Sequence, residues 1–294
     1  MLYIIVGPTC SGKTTLACQL SDYFDNANII NIDAFQVYKD MDVGTAKISK
    51  DSKYYKRHLL LDFKYPDQTY SIKEFQEDFR RILKEHEKDK NIIAVGGSGL
   101  YLASAIYDYH FDNENVEVNT SDLEEMDNNQ LYQLLLKLDP ISAEGIHPNN
   151  RKRVIRAIVI ARMGNLKSDQ KMEVKQTPYI PKDSFKIFFI NPKREELYQR
   201  INQRVDEMIE QGLIDEVKML LNKYNLSLTS SQAIGYKEII AFLNDELSKE
   251  DAIELIKKRS RNYAKRQVTF FKHQFECIEV DDPNKVLEMI KNER

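Results

Sequence analysis

The sequence is short of cysteine, of long apolar runs and of positive charge, and each shortage closes a route. Three cysteines, Cys10, Cys18 and Cys277, make an odd set with no CxxC pair. That argues against a disulfide framework or a cysteine zinc site and fits a reducing compartment. No stretch approaches the ~20 apolar residues of a membrane helix. The apolar start ends at Val6, too soon for a signal-peptide core and without a basic leader, so a cytoplasmic location with no membrane partner is expected. The formal net charge is −3 over 294 residues; the total announces no nucleic-acid partner, although a local basic face would suffice for one. There is no internal repeat and no low-complexity tract. What remains is ordinary globular composition, 42% hydrophobic and 30% charged, enough for one large core or two domains.

Strand and helix patterns alternate through the first third. Leu2–Val6 and "NIINID" read as buried strands and "RHLLLDF" as a third. Thr14–Tyr23 reads as a helix, and so does "SIKEFQEDFRRILKEHEKD", whose Ile72, Phe75, Phe79, Ile82 and Leu83 share a face behind Ser71 as N-cap. "NIIAVGGSGLYLASAIY" is a strand, a glycine turn and a helix. Such alternation predicts an α/β fold, a P-loop-type parallel sheet flanked by helices. The pattern breaks after Tyr109, in a polar, acidic stretch. We expect residues 1–110 to form the first part of the core and 111–182 a mainly helical insertion. "FKIFFIN" should then return the chain to the sheet, so that 183–294 complete the core and end in helices.

Gly7-Pro8-Thr9-Cys10-Ser11-Gly12-Lys13-Thr14 fits G-x-x-x-x-G-K-[ST], with a strand before it and a helix after it. Its glycines let successive N–H groups face phosphate oxygens, and the helix N-terminus adds positive charge. Lys13 supplies a point charge, and the Thr14 hydroxyl can ligate Mg²⁺. The loop alone does not say which molecule carries the phosphate. Asp33 ends the second strand, at the sheet edge where ligands sit. It can hold a metal, take a proton, or brace its own loop. "KKRSRNYAKRQVTFFKHQ" (257–274) is the densest basic run, free of acids and interleaved with Tyr263, Phe270 and Phe271. It suits a phosphate backbone with splayed bases, or a solvated helix face.

The run "DAFQVYKDMDVGTAK" resembles the signature of the tRNA dimethylallyltransferases, also called tRNA isopentenyltransferases. "GPTCSGKT", "RHLLLDF…YSIKEF", "GGSGLY", "IHPNNRKRVIRA", "RVDEMIEQGLIDEV", "QAIGYKE" and "YAKRQVTFF" resemble further blocks of that family, in its order, from Gly7 to about Lys272. The resemblance implies transfer of a dimethylallyl group from dimethylallyl diphosphate to the exocyclic amine of the adenine 3′ to the anticodon. Gly7–Thr14 would then hold the donor's diphosphate, with Lys13 neutralising the leaving group and Thr14 helping to ligate Mg²⁺. Asp33 matches the general base and Arg204 an arginine that approaches the diphosphate.

The resemblance also implies contacts to the tRNA anticodon stem-loop. Asp33, Ala34, Phe35 and Gln36 match the segment around the flipped base, where Phe35 suits stacking as well as it suits a core. Ser98 and Tyr101 lie in "GGSGLY". Arg153 and Arg156 share a helix face that is either solvated or set against phosphate. Gln232, Gly235, Tyr236 and Lys237 match a tRNA-contacting turn, and Lys265, Arg266, Gln267, Thr269, Phe270 and Lys272 the basic block. The chain departs from the family at Cys10 for Ala, Ala34 for Ser, Asp40 for Gly, Leu59 for a second His, Ser98 for Thr and Phe270 for Trp. Its 111–127 stretch is short and acidic. A monomer is expected. A P-loop small-molecule or nucleoside monophosphate kinase is the alternative; a non-catalytic RNA-binding switch would not need Asp33.

Overall fold

Four β-branched or aromatic runs with almost every side chain buried cannot alternate in and out of water, so they need cover on both faces. The computed structural model, which describes residues 1–109, 121–162 and 178–292, supplies it. Strands β1 (Leu2–Val6), β2 (Ile29–Ile32), β3 (His58–Leu59), β4 (Ile92–Gly96), β5 (Phe185–Ile190) and β6 (Ile278–Val280) form one parallel sheet in the order β3-β2-β4-β1-β5-β6. In the centre Ile4 pairs with Ala94 on one side and Ile187 on the other. Because the strands are parallel, the loops after β2, β4 and β1 leave the same edge side by side, about 4.8 Å per strand apart. Those loops begin with Asp33, Gly97 and Gly7.

Helix α1 (Lys13–Tyr23) follows the loop after β1, and α2 (Ile72–Glu85) begins at a capping box in which Ser71 and Glu74 satisfy each other's backbone N–H. Phe75, Phe79 and Ile82 are its buried face, worth roughly 1.5–3 kcal/mol each. Helix α3 (Gly99–Ile106) follows the glycine turn after β4. One core joins Leu16 and Leu20 of α1 to Ile5, Ile29, Ile93 and Phe188 of the sheet, and to Val286 and Ile290 near the C-terminus.

The chain forms two units, Met1–Ala105 with Pro181–Arg294, and Ile106–Ile180. In the second unit α4 (Ser121–Glu125), α5 (Asn128–Leu138), α6 (Pro140–Glu144) and α7 (Arg151–Arg162) bury Leu123, Leu131, Leu135, Val154 and Ile158. Arg151 donates to the Leu123, Glu124 and Met126 carbonyls, which closes the end of α4. Most of the acidic 111–127 stretch and of the "NLKSDQKMEVKQTPYIPKDS" loop lies outside the described residues.

After β5 come α8 (Arg194–Glu210), α9 (Leu213–Lys223), α10 (Tyr236–Leu243), the long α11 (Lys249–Gln274) and, beyond β6, α12 (Pro283–Asn292). One local expectation needs correction. "RHLLLDF" forms strand only at His58–Leu59, because Leu60 and Asp62 take φ of 57° and 58° and turn the chain. The C-terminal region is mostly helix, with one short strand, Ile278–Val280, that pairs with β5. No helix among the described residues is long and apolar enough to cross a membrane.

Candidate active site

The site is built from three neighbouring loops and two helices that reach over them. In the first loop Gly7 and Gly12 take φ of 158° and 85°, and a Cβ on Gly7 would lie 2.5 Å from the Ile190 carbonyl oxygen. Lys13 Nζ donates to the Pro8 carbonyl at 2.5 Å and to Ser11 Oγ at 3.4 Å. Burial, with Arg204 nearby, pushes its pKa down to about 8 against the opposing charges of Cys10 and Asp33.

Arg204, on α8, reaches this loop from 195 residues away: Nη1 donates to Thr9 Oγ1 at 2.8 Å and Nη2 to the Thr45 carbonyl at 3.3 Å. Its buried Nε has no partner among the described residues. A cavity of about 400 Å³ opens here, lined by Cys10, Val43, Ala46, Arg200, Arg204 and Met208 among others. An orphaned guanidinium donor with Arg200 beside it suits an anion, and Glu207 is the one acid in the lining.

Asp33 follows β2, and its Oδ1 accepts the N–H groups of Phe35 at 2.9 Å and Gln36 at 3.1 Å. Those two bonds aim the carboxylate and engage one oxygen only. Its charge is felt by Lys13, Tyr101 and Tyr263. Gln36 Nε2 donates to the Thr45 carbonyl, the acceptor it shares with Arg204. The Asp42–Gly44 loop is clamped from outside. Glu216 of α9 accepts from the N–H groups of Asp42, Val43 and Gly44 and from the Tyr236 hydroxyl. Lys47, 1% exposed, donates to Asp42, Asp62 and the Tyr38 carbonyl.

The third loop explains the glycines of "GGSGLY". A Cβ on Gly97 would lie 2.1 Å from Gln267 Nε2, and one on Gly99 2.3 Å from Phe270 Cδ1. Two bare backbone positions therefore let α11 lie directly on the turn. Gln267 uses that approach, accepting from Thr9 N at 2.9 Å and donating to the Gly97 carbonyl at 2.9 Å. Tyr263 lies one turn earlier; burial and the Asp33 charge push its pKa up to about 12. Sequence reasoning noticed Tyr263 as an aromatic in a basic run but gave it no place beside Asp33.

The predicted residues sort into three groups. The phosphate loop, Asp33, Ala34, Phe35, Gln36, Ser98, Arg204 and Gln267 come together. Gln232 and Lys237 lie on the turn before α10 and at its start, and Lys265, Arg266, Thr269 and Lys272 are exposed on α11. Arg153 and Arg156 lie on α7, in the second unit, on the side away from buried Val154 and Ala157. Four of the residues matched to tRNA contact are buried here. Tyr236 is buried against Gly44 with its hydroxyl on Glu216. Gly235 is enclosed, its N–H donating to Glu238. Tyr101 is buried, its ring 4.6 Å from Phe75, and Gln267 is a buried bridge. These braces set loops rather than offer surface. Phe270 is wedged on Gly99.

Among the described residues no group of three or more His, Cys, Asp or Glu could hold a metal. The exposed Thr14 hydroxyl and the Asp33 carboxylate are hard oxygen donors. They suit Mg²⁺, which takes most of its ligands from substrate phosphates and water.

A parallel sheet with a phosphate cradle, a fixed carboxylate and an arginine fork at one edge defines an α/β enzyme acting on a phosphorylated or diphosphorylated substrate. The chain belongs to the IPP transferase family, whose model matches residues 36–274. It is 39% identical over 301 residues to a tRNA dimethylallyltransferase of Staphylococcus saprophyticus, covering 99% of this chain and 95% of that one. It is 43% identical over 275 residues to one of Anoxybacillus flavithermus, covering 92% and 87%. The fold is similar to a solved tRNA Δ(2)-isopentenylpyrophosphate transferase of Staphylococcus epidermidis (TM-score 0.71, 36% identity, 100% and 99% coverage). It is also similar to a eukaryotic dimethylallyltransferase captured acting on tRNA (TM-score 0.77, 30% identity, 95% and 73% coverage).

Proposed function

We propose that this protein transfers a dimethylallyl group from dimethylallyl diphosphate to the exocyclic amine of the adenine 3′ to the anticodon of tRNA. The observation that carries the reading is Asp33, held at the sheet edge with one carboxylate oxygen tied to backbone N–H groups and its charge acting on Lys13 of the cradle. The adenine amine attacks the allylic carbon, the carbon–oxygen bond to diphosphate breaks, and the amine's proton passes to Asp33. The amine is a weak nucleophile because its lone pair is delocalised into the ring, so a positioned acceptor contributes as the new bond forms.

Lys13, Arg204 and the loop N–H groups stabilise the charge that grows on the leaving diphosphate. Thr14 would help to hold Mg²⁺ there, and the ion would supply further charge neutralisation. The cavity beside Cys10 and Arg204 is the space the donor would use next to this loop. An adenine already unpaired in a loop reaches Asp33 at the smallest unstacking cost. The family matches favour this reading over the kinase alternative. Mass spectrometry of nucleosides, after incubating unmodified tRNA with donor and Mg²⁺, should show dimethylallyl adenosine. Asp33→Asn keeps an acceptor for Phe35 and Gln36 and should slow single-turnover transfer by about 10²–10⁴-fold with donor affinity preserved. No prenylated adenosine, or an Asp33→Asn enzyme as fast as wild type, would falsify the proposal.

A further inference from the structure

Three residues past Gln36 the chain enters a surface cluster that the chemistry above does not use. Tyr65, 44% exposed, lies 6.2 Å from the Tyr224 ring. Lys39 Nζ sits 4.2 Å over Tyr65, and Lys223 Nζ 5.1 Å from the Tyr224 ring centre. Asp40 locks the second half: it takes φ 63°, and its Oδ2 accepts from Lys223 Nζ and the Tyr224 hydroxyl, each at 2.7 Å. Leu228, 87% exposed, belongs to a turn tied to the Tyr65 loop by the Ser227 N–H and the Ser230 hydroxyl, both on the Pro66 carbonyl. The cluster is also tied to the site, since Lys39 N donates to the Lys64 carbonyl and Asp62 N to the Gln36 carbonyl.

Rings kept in place at the surface, with ammonium groups beside them, form a platform for unpaired bases: the rings take the base faces and the cations the backbone. A core aromatic would be covered, and an ordinary solvated lysine would not need a carboxylate in left-handed backbone to place its neighbour. We propose that Tyr65 and Tyr224, with Lys39 and Lys223, bind unpaired nucleotides flanking the adenine presented to Asp33. This rests on the RNA-modifying reading above. Asp40 is the positioning residue of the platform. It lies no more than about 14 Å of chain from Gln36, the reach of the next few nucleotides of a loop.

The test is a comparison of anticodon stem-loop binding, by fluorescence anisotropy, and of transfer kinetics for wild type, Tyr65→Ala, Tyr65→Phe and Tyr65→Ala/Tyr224→Ala. Tyr65→Ala should raise the RNA Kd and KM about 5- to 50-fold, leaving kcat and donor affinity within twofold. Tyr65→Phe, which keeps the ring, should bind like wild type. An RNA with an abasic residue on the contacted side of the target should bind wild type and Tyr65→Ala alike. Lys39→Ala should reduce the salt slope of binding by about one. If the double variant binds RNA within twofold of wild type while its melting temperature is unchanged, the platform is refuted. If wild type binds the stem-loop but makes no prenylated adenosine, the transfer reaction fails while the binding ratios still decide the platform.

Discussion

Replacing Gln267 by Ala should unseat the phosphate loop from α11. The side chain is 6% exposed and serves two backbone groups, the Thr9 N–H and the Gly97 carbonyl. The Gly97 end is buried and the Thr9 end only partly so. An orphaned buried group costs about 1–3 kcal/mol, and water recovers some of that where it can enter. The sum is about 2–4 kcal/mol. For a protein of this size that lowers the melting temperature by roughly 3–6 °C. Because one orphan lies in the loop itself, donor affinity should fall by about tenfold or more. Gln267→Glu sharpens the test. Its carboxylate still accepts from Thr9 but meets the Gly97 carbonyl lone pair to lone pair. Only the protonated acid can donate to that carbonyl, so folding raises its pKa above the unfolded value. Its stability should therefore be best at low pH and be lost as pH rises through the raised pKa. Calorimetry with donor titration reads both effects. A Gln267→Ala protein that melts within about 1 °C of wild type with unchanged donor affinity would refute the bridge.

Lys13 makes donor binding pH-dependent. Its free-state pKa is about 8 and the bound diphosphate raises it, so below pH 8 the charge is already present. Above it a proton must be taken up, and the donor Kd should rise up to about tenfold per pH unit; Lys13→Ala should bind weakly with a flatter profile, checked by isothermal titration. Glu216→Ala should free the Asp42–Gly44 amides, lower stability by about 2–4 kcal/mol and speed hydrogen exchange at those three amides; unchanged exchange would show that the clamp carries nothing.

The strands were legible because Leu2–Val6, Ile29–Ile32, Ile92–Gly96 and Phe185–Ile190 are buried on both faces and so are apolar almost without interruption. Helix α2 was legible from its period and cap. Missed were the pieces whose environment is set from afar. Ile278–Val280 is three residues long with two side chains exposed, a pattern no run of hydrophobicity marks. Lys47 reads as a surface lysine, yet two aspartates and a carbonyl surround it. The phosphate loop and Asp33 were visible as local motifs. The bridge from Thr9 through Gln267 to Gly97 joins residues 258 and 170 positions apart, and nothing in the spacing of either motif announces it. Tyr101 and Tyr236 were matched to tRNA contact by resemblance, and nothing in the sequence announces that both are buried.

Gln267 makes the donor cradle and the helix bearing Lys265 and Arg266 a single mechanical piece. If RNA on that helix shifts the phosphate loop through Gln267 and so alters the hold on diphosphate, linkage requires that diphosphate alter the hold on RNA by the same factor. Departure of the diphosphate would then change the grip on the RNA without a moving lid.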